Sequence, residues 1–377
     1  MKILLTGGGT GGHFYPVIAI AQELNQIAEE RKLLQIELFY MASKPYDERL
    51  LFENNLQFVK VPAGKMRRYF SLLNIFDFFK TAIGVIKAVW GIFLMYPDVV
   101  FGKGGYDSFP AILAARLFFI PVVIHESDTV PGKVNAWAGK FARRIAVTFP
   151  EAGEKFKRRD VVAFTGNPIR KTLYTAQRGG AREFLQLEED VPIILFLGGS
   201  QGAQTINQHL LDTLPQLVTK YQVIHQTGRD NLTETQELAS VILEKHQHRE
   251  RYKPYAYLND LALKMVAGSA ELVVSRAGAG TISELALWGI PSILIPIPES
   301  ISHDQRANAF AYQRTGSCIV IEEQNLSANV LFAQIENLMN NKKERERMKL
   351  GALSFAKPDA ARIIAEELIS IALEHEQ

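Results

Sequence analysis

A glycine-rich stretch late in the chain, residues 272–285, carries the residue types that bind phosphate. Its apolar start predicts a buried strand, and the following Ser-Arg-Ala-Gly-Ala-Gly-Thr-Ile-Ser-Glu predicts a loop that turns into a helix. Gly278 and Gly280 lack a Cβ and let the backbone approach a ligand closely. Thr281 and Ser283 stand at the helix start, where N–H groups and the helix dipole attract an anion. Glu284 offers a carboxylate to sugar hydroxyls, so the stretch predicts a nucleotide-sugar site.

A second glycine-rich loop follows the first predicted strand, Lys2 to Thr6. Gly7, Gly9 and Gly12 match the G-x-G-x-x-G dinucleotide pattern. An NAD site also needs a carboxylate after the second strand, and none follows the predicted strand at 36–40, which disfavours a dehydrogenase. His13 ends the loop. It either caps the turn or, having a pKa near neutrality, acts as a general base, and we favour the base.

Two further strand-to-loop junctions carry polar or glycine residues, at 102–106 and 125–128. Ligands of open parallel sheets collect at such junctions. His125, Glu126 and Asp128 are adjacent on one turn and rarely converge on one metal ion, so we expect hydrogen bonds to hydroxyl groups instead.

Composition limits the classes of function. The chain has 377 residues, enough for two α/β domains, and a net charge of +2. Residues 1–165 carry 21 Lys and Arg against 15 Asp and Glu, which indicates an anionic ligand or surface on that side. A basic helix and an aromatic stacking motif are both missing, so nucleic acid is not an expected partner.

Cysteine content and apolar runs bear on the compartment. Cys318 is the single cysteine, which excludes internal disulfides and a thiolate metal cluster. The N-terminal apolar run is too short for a signal peptide, and the longest uninterrupted run, 88–97, is too short to span a bilayer. We therefore expect an intracellular protein that is not transmembrane.

An unusually apolar helix is predicted over residues 71–96. Asp77, Lys80, Gly84, Lys87 and Gly91 mark one narrow polar or small stripe. The rest of the circumference is apolar. Core packing and docking on an anionic bilayer explain this pattern about equally well. The docking hypothesis rests on apolar anchors and on basic residues just before the helix: Phe76, Phe79, Ile83, Trp90, Lys65, Arg67 and Arg68.

The second half of the chain repeats the plan of the first. A strand at 192–197, the loop Gly198-Gly199-Ser200-Gln201-Gly202-Ala203 and a helix repeat the N-terminal order. The fold class is therefore α/β, with two Rossmann-like doubly wound domains facing each other across a cleft that holds one ligand. We place the first domain at 1–165 and the second at 166–357, and expect the last helix, about 358–377, to pack back on the first domain.

Six ordered motifs make essentially the whole chain resemble the MurG family. They are Gly-Gly-Thr-Gly-Gly-His near the start, Gly102 to Tyr106, Gly166 to Arg170, Gly-Gly-Ser-Gln-Gly-Ala, the stretch at 275–284, and Gln305 to Asn308. The family comprises the UDP-N-acetylglucosamine–N-acetylmuramyl-(pentapeptide) pyrophosphoryl-undecaprenol N-acetylglucosamine transferases of bacterial peptidoglycan synthesis. The resemblance implies a GT-B fold, with the acceptor on the first domain and UDP-N-acetylglucosamine mainly on the second.

The resemblance also implies roles for individual residues. Leu258 would contact uracil through its backbone, Glu284 the ribose, and Gln305 the sugar hydroxyls. The donor-binding set is completed by residues at the diphosphate: Thr10, Gly11, Gly12, Arg170, Ser200, Gly280 and Thr281. The acceptor side would comprise Gly104, Gly105, Tyr106, His125, Glu126 and Asn135.

The implied reaction is an inverting transfer of N-acetylglucosamine to the 4-hydroxyl of the acceptor's N-acetylmuramic acid. His13 would be the base and Asp128 a rival base or sugar contact. The helix start at 280–283 would stabilise the leaving UDP without a metal or any other cofactor. Many family members have Gln-Asn after His-Glu, where this chain has Ser127-Asp128.

The resemblance implies partners and a location as well. They are UDP-N-acetylglucosamine, the undecaprenyl-linked acceptor (lipid I), an anionic phospholipid surface and the cell-wall and division machinery. The protein would lie on the cytoplasmic face of the bacterial inner membrane. Two alternatives remain open: a GT-B glycolipid synthase that transfers a hexose to diacylglycerol, and a non-catalytic membrane scaffold that binds nucleotide sugars.

Overall fold

The computed structural model describes residues 1–33, 36–64, 73–177, 179–199, 202–301 and 304–375, with the side chains of 73–76 left aside. These residues form two compact units. Unit 1 comprises Met1–Lys171 and Lys357–Gln377, and unit 2 comprises Thr172–Ala356. The change of unit thus lies after Lys171, where the sequence pattern had placed it after Thr165.

Unit 1 is a doubly wound parallel sheet. Its strands are β1 Lys2–Thr6, β2 Glu37–Ala42, β3 Leu56–Lys60, β4 Val99–Gly102, β5 Val122–Glu126, β6 Arg144–Val147 and β7 Val162–Phe164. Its helices are α1 Gly11–Glu30, α2 Glu48–Glu53, α3 Leu73–Met95, α4 Phe109–Leu117, α5 Lys133–Ala138 and α6 Pro150–Gly153. The described strands form one seven-stranded sheet in the order β3-β2-β1-β4-β5-β6-β7. The strand order reverses between β1 and β4, which makes their carboxyl ends the switch point where such sheets bind ligands.

Unit 2 repeats this arrangement. Its strands are β8 Ile193–Leu197, β9 Gln222–Gln226, β10 Tyr252–Tyr255, β11 Ala270–Ser275, β12 Ser292–Leu294 and β13 Cys318–Val320. Its helices are α7 Ala181–Phe184, α8 Gln204–Lys220, α9 Leu232–Ile242, α10 Asp260–Ser269, α11 Ala279–Trp288, α12 Gln305–Gln313, α13 Ala328–Asn340 and α14 Lys342–Phe355. The six described strands run β10-β9-β8-β11-β12-β13, so the switch point lies between β8 and β11.

The last helix, α15 Ala360–His375, belongs to unit 1 and packs against α1. Its buried face joins the cluster of apolar residues formed by β1 and α1. Arg362 adds an ion pair to Glu30 on α1, with an N–O distance of 2.7 Å. Because Ile364 and Leu368 are both buried in this cluster, the end of the chain completes the core of its first domain.

Candidate active site

The loops after β1 and β4 meet at the switch point of unit 1. A Cβ added to Gly7 would lie 2.6 Å from the Cβ of Lys103, and one added to Gly8 would lie 2.5 Å from Asp107 Oδ2. At Gly9, where φ is +95°, an added Cβ would come within 3.2 Å of the Tyr106 ring. The glycines therefore let the backbone of the first loop approach the side chains of the second loop, and this contact forms the base of the predicted site.

His13 lies in the first turn of α1, above this contact. Its Nδ1 is 3.1 Å from the hydroxyl of Thr10, the residue that precedes the helix. Nε2 lies 3.5 Å from the position that a Cβ on Gly105 would take, so it faces the loop after β4. Thr10 and Gly12 are exposed, and the His13 ring keeps part of its surface accessible.

The protonation state of His13 suits proton abstraction. Desolvation by the surrounding protein, followed by the positive charge of Lys103, lowers its pKa to about 4. The imidazole is therefore neutral near pH 7. When Nδ1–H donates to Thr10, Nε2 keeps its lone pair and can accept a proton.

The loop after β5 is organised from within by Glu126. One carboxylate oxygen accepts the Asp128 N–H at 3.1 Å, and the other accepts Gly132 N–H at 3.0 Å and the Asn135 amide at 2.9 Å. His125 is fully buried, with Nε2 2.9 Å from Gly166 O. Burial, followed by the charge of Asp128, raises the pKa of Glu126 to about 7.

These contacts bear on the predicted acceptor side. His125, Glu126 and Asn135 are buried and hold the loop, so they support the site from below in this structure. Gly105, Tyr106 and Asp128 keep partial exposure and remain the surface-facing members of the set. Gly104, with φ +93°, is buried against the Asn135 amide.

Lys103 is a member of the site for which the sequence predicted no role, although it lies within the motif from Gly102 to Tyr106. Its side chain is 1% exposed, and its ammonium donates to Ser127 Oγ. No local sequence signal indicated this burial, because a lysine after a strand is ordinarily expected at the surface.

The helix start predicted to hold a diphosphate is built as expected, at the switch point of unit 2. The helix begins at Ala279, with Gly278 before it. A Cβ added at Gly278 or Gly280 would meet nothing within 4 Å. The first N–H groups of an α-helix have no acceptor within the helix, so this turn presents donors to open space.

The polar side chains near the start of this helix differ in their exposure to solvent. Thr281 and Glu284 are partly exposed. Ser283 is 7% exposed, and its hydroxyl donates to Ala279 O at 2.8 Å. Ser283 therefore lies near the start of the helix, as predicted, with its hydroxyl bonded to the backbone of the preceding turn.

Gln305 and Leu258 occupy the edge of the same sheet. Gln305 Oε1 accepts N–H groups of Ala277 and Ile297, at 3.2 and 3.3 Å. Its side-chain NH₂ is left as the group for a ligand. The Leu258 N–H donates to Gln226 Oε1 at 2.9 Å, so Leu258 retains only its carbonyl for the predicted base contact.

Of the predicted diphosphate contacts Arg170 and Ser200, only Arg170 lies within the described residues. The Arg170 guanidinium lies 3.9 Å from the centre of the Tyr15 ring, and the residue is 9% exposed. It is thus seated on α1 of its own unit. Ser200 lies outside the described residues.

Helix α3 presents a largely apolar side to the surface of unit 1. Phe79 is 61%, Ile83 52% and Trp90 64% exposed, and Phe93 and Leu94 are exposed beside them. The core-helix alternative fails for this side of the helix. The side chain of Phe76 and all of Lys65, Arg67 and Arg68 lie outside the described structure.

The small residues of α3 do not form a solvent-facing stripe. A Cβ on Gly84 would lie 1.7 Å from Pro62 O, and Ala88 and Ile92 are fully buried along the same line. Glycine at 84 therefore lets the helix rest on the chain at 61–64. Of the residues in the predicted polar or small stripe, Gly84 is buried, Lys80 and Lys87 are exposed, and Asp77 and Gly91 are partly exposed.

Helix α3 also bears on the expectation about bilayer-spanning segments. The segment Asp77–Met95 is long and apolar enough to cross a membrane by length and composition, and 17% of it is buried. Uninterrupted apolar runs in the sequence do not indicate this segment, because Lys80 and Lys87 interrupt it. The buried line through Gly84, Ala88 and Ile92 packs the helix along unit 1.

In the described parts of both units, no group of three or more His, Cys, Asp or Glu side chains is arranged to hold a metal ion. Cys318 is buried and unpaired.

Comparisons with known proteins decide the family. The glycosyltransferase family 28 N-terminal domain matches residues 3–147, and the family 28 C-terminal domain matches residues 193–364. The UDP-N-acetylglucosamine–N-acetylmuramyl-(pentapeptide) pyrophosphoryl-undecaprenol N-acetylglucosamine transferase of Treponema denticola is 34% identical, with 98% of this chain and 97% of that protein covered. The protein of the same name from Legionella pneumophila (strain Paris) is 37% identical, with 91% and 90% covered.

The chain belongs to the MurG family of glycosyltransferases. The crystal structure of Acinetobacter baumannii MurG agrees, with a TM-score of 0.72 at 26% identity and coverage of 98% of this chain and 99% of that one. The UDP co-structure of Staphylococcus aureus MnaA, at 15% identity and a TM-score of 0.71 over 100% and 98% of the two chains, shows the fold alone. The predicted family, GT-B fold and glycosyltransferase class of this MurG-family chain are thereby confirmed.

Proposed function

We propose that this MurG-family chain transfers N-acetylglucosamine from UDP-N-acetylglucosamine to the 4-hydroxyl of N-acetylmuramic acid in undecaprenyl-pyrophosphoryl-N-acetylmuramyl-pentapeptide. The observation that carries the proposal is the match, over nearly the full length, to relatives named for this reaction. The product would be the lipid-linked disaccharide of peptidoglycan synthesis, lipid II.

The proposed mechanism is a single displacement with inversion. The acceptor oxygen attacks the anomeric carbon, the bond from that carbon to the UDP oxygen breaks, and UDP leaves with the electron pair. The hydroxyl proton passes to Nε2 of His13. The neutral state of that imidazole supports this role.

The donor is assigned to unit 2. The open backbone at Gly278 and Gly280 leaves room for a diphosphate at the start of α11. Negative charge grows on UDP as it departs, and the fixed N–H dipoles of the helix start stabilise it without reorganising. Glu284 would bind the ribose hydroxyls, and the Gln305 amide would bind the sugar.

Substitution of His13 tests the assignment of the base. His13→Ala should lower transfer by roughly 10²-fold or more, the usual contribution of a general base, while UDP affinity stays near wild type. Transfer to a lipid I analogue and calorimetric titration of UDP would measure the two quantities. Asp128→Asn is the comparison variant.

Two outcomes of that experiment would contradict the proposal. Full transfer by His13→Ala, together with loss in Asp128→Asn, would make Asp128 the base. Preference for UDP-glucose with diacylglycerol, in the same assay with UDP-glucose and UDP-galactose as donors, would replace the proposed substrates by those of a glycolipid synthase.

We further propose that the chemical step needs no metal. The helix dipole of α11 supplies the stabilisation that a divalent cation supplies in other transferases. Transfer rates measured with EDTA and with added Mg²⁺ should agree within about twofold, far less than the loss expected when an electrophilic group is removed. A large loss in EDTA that Mg²⁺ restores would show that the helix start is not sufficient.

We also propose that the exposed side of α3 docks on an anionic phospholipid surface at the cytoplasmic face of the inner membrane. Contiguous exposed aromatic and aliphatic side chains on one helix are unusual for a protein surface in water. Lys80 and Lys87 flank them and would meet lipid phosphates. This would bring unit 1 to the lipid-linked acceptor.

A further inference from the structure

Lys103 is a buried cation between the two loops that carry the rival bases of unit 1. Its backbone N–H donates to Thr6 O at 2.8 Å, which fixes it beside the end of β1. Its ammonium donates to Ser127 Oγ, and that hydroxyl donates to Asn167 Oδ1 at 3.2 Å. The side chain is 1% exposed, so it supports the site from beneath and does not reach a bound substrate.

The carboxylates of the loop after β5 explain why a cation is buried there. Glu126 and Asp128 are separated by one residue, and Glu126 accepts the Asp128 N–H. Two like charges this close disfavour each other's ionised form. A buried ammonium is likewise costly unless opposite charge lies nearby. The positive charge of Lys103 therefore lowers the cost of ionising the two carboxylates, and their negative charge lowers the cost of burying the ammonium.

Asp128 adds a negative charge to a loop that already contains Glu126. Lys103 is the buried cation whose field acts on both carboxylates.

We propose that Lys103 is a positioning residue, which ties the Ser127–Asp128 turn to the glycine loop after β4 and supplies the charge that lets a carboxylate occupy position 128 while His13 stays neutral. The proposal rests on the proposed function only in giving His13 the role of base. The tie between the loops rests on the hydrogen bond from the Lys103 ammonium to Ser127 Oγ, which also places that charge on the turn between Glu126 and Asp128.

The pKa values agree with this balance. Lys103 lowers the pKa of His13 and of His125, although burial is the larger cause for both. The carboxylates of Glu126 and Asp128 oppose the effect of burial on Lys103 itself, whose pKa is about 8. Tyr106 and Asp107, on the turn after Gly105, and Tyr40, whose hydroxyl donates to Gly7 O, are further titratable groups beside these loops.

A double-mutant cycle with Lys103→Met and Asp128→Asn tests the coupling. Lys103→Met keeps an unbranched side chain that is one atom shorter and removes the charge. The pKa of His13 should rise by roughly half a pH unit or more, the size expected when a nearby charge is removed. The pH at which kcat/KM falls on the acid side should rise by the same amount. Adding Asp128→Asn removes a negative charge and should return the His13 pKa towards the wild-type value.

Nitrogen-15 NMR of selectively labelled histidine measures the His13 pKa directly. The chain has eight histidines, and His13→Gln assigns the signal. Lys103→Arg keeps the charge and should leave the His13 pKa near wild type. Lys140→Met, an exposed lysine of the same unit, is the control for losing a positive charge elsewhere.

Thermal unfolding gives a second readout if Lys103→Met folds poorly. The double variant should then be more stable than Lys103→Met alone, because it removes one of the two neighbouring carboxylates whose repulsion Lys103 offsets. A double variant no more stable than the single one, or a His13 pKa unmoved by Lys103→Met, would each overturn the proposal. Full transfer by His13→Ala would instead refute the base and leave the measured coupling intact.

Discussion

At the scale of single residues, the site of unit 1 depends on what surrounds His13. Thr10 holds one ring nitrogen, the backbone at Gly105 leaves space at the other, and burial keeps the ring uncharged. A glycine is needed at 105 for two separate reasons. Its φ of +78° disfavours any side chain, and its missing Cβ opens the space beside Nε2.

The two reasons can be separated with a matched pair of variants. Gly105→Ala should lower transfer by about tenfold or more, since misplacement at a reacting group is costly. Gly180→Ala is the control, because its φ is +72° and an added Cβ meets nothing within 4 Å. Both should lose about 1–2 kcal/mol of unfolding free energy to the left-handed backbone.

Kinetics and denaturation of the two glycine variants distinguish the causes. Transfer should fall only in Gly105→Ala if the space beside His13 matters. Equal transfer in both variants would mean that this space is not used by the acceptor hydroxyl, and equal losses would mean that strain alone acts.

At the scale of elements, α3 combines two surfaces that composition alone does not separate. Small and aliphatic residues at 84, 88 and 92 recur every four positions and form the line that packs on unit 1. The aromatic residues fall on the other side. A helix that is apolar almost all round therefore has one buried line and one exposed side.

Charge placed on the exposed side of α3 tests the docking proposal. Phe79→Asp with Trp90→Asp should weaken binding to anionic vesicles by more than about tenfold, since each buried aromatic side chain contributes about 1.5–3 kcal/mol. The unfolding temperature should hardly change, because both side chains are more than 60% exposed. Sedimentation with vesicles of anionic and of zwitterionic lipid measures the binding.

The control for that variant lies on unit 2. Leu238→Asp with Val241→Asp places the same two charges on α9, where the side chains are 47% and 74% exposed. This control should bind vesicles as the wild type does. If the α3 variant unfolds, or if it binds as well as the control, the docking surface lies elsewhere.

At the scale of the whole molecule, the chain returns to unit 1 after completing unit 2. The two crossings lie after Lys171 and before Lys357. An added Cβ at Gly166, where φ is +83°, would lie 2.3 Å from Lys357 Cβ. The close approach of these two segments needs glycine. It directs α15 onto α1, so the core of unit 1 is completed only by the last residues of the chain.

A large-to-small substitution on α15 tests this dependence. Leu368→Ala should destabilise unit 1 by about 2–5 kcal/mol, because the side chain is fully buried against α1. Leu373→Ala on the same helix, where the side chain is 41% exposed, should cost about 0.5 kcal/mol or less. Denaturant unfolding followed by hydrogen exchange measures the loss and the unit in which it occurs. Equal losses in the two variants would contradict the packing.

Much of the local structure was predictable because it depends on short-range patterns. The strand at 192–197 and the helix at 71–96 were found within one or two residues of β8 and α3. Apolar runs, alternating with glycine loops, report the strands and turns of a parallel sheet directly. The helix start at Ala279 followed from glycine and polar residues in order.

Side-chain direction was less predictable because it depends on neighbours distant in sequence. Nothing local distinguishes Ser283, turned inward, from Thr281, which is partly exposed. His125 and Glu126 have the residue types of a binding site, yet contacts with Gly166 and Asn135 use them inside the loop. Lys103 is charged and would be expected at the surface, but the strand end carries it inward.

The sequence by itself determined the order of strands, glycine loops and helices, the family, and the position of the helix start at α11, because these depend on residue type and spacing. The tertiary structure alone decided which polar groups stand at the surface. Burial and long-range contacts set the low pKa of His13, the inward position of Lys103 and the exposed side of α3. The sequence pattern identifies the residue types that could bind a ligand, and tertiary packing determines which of them are accessible.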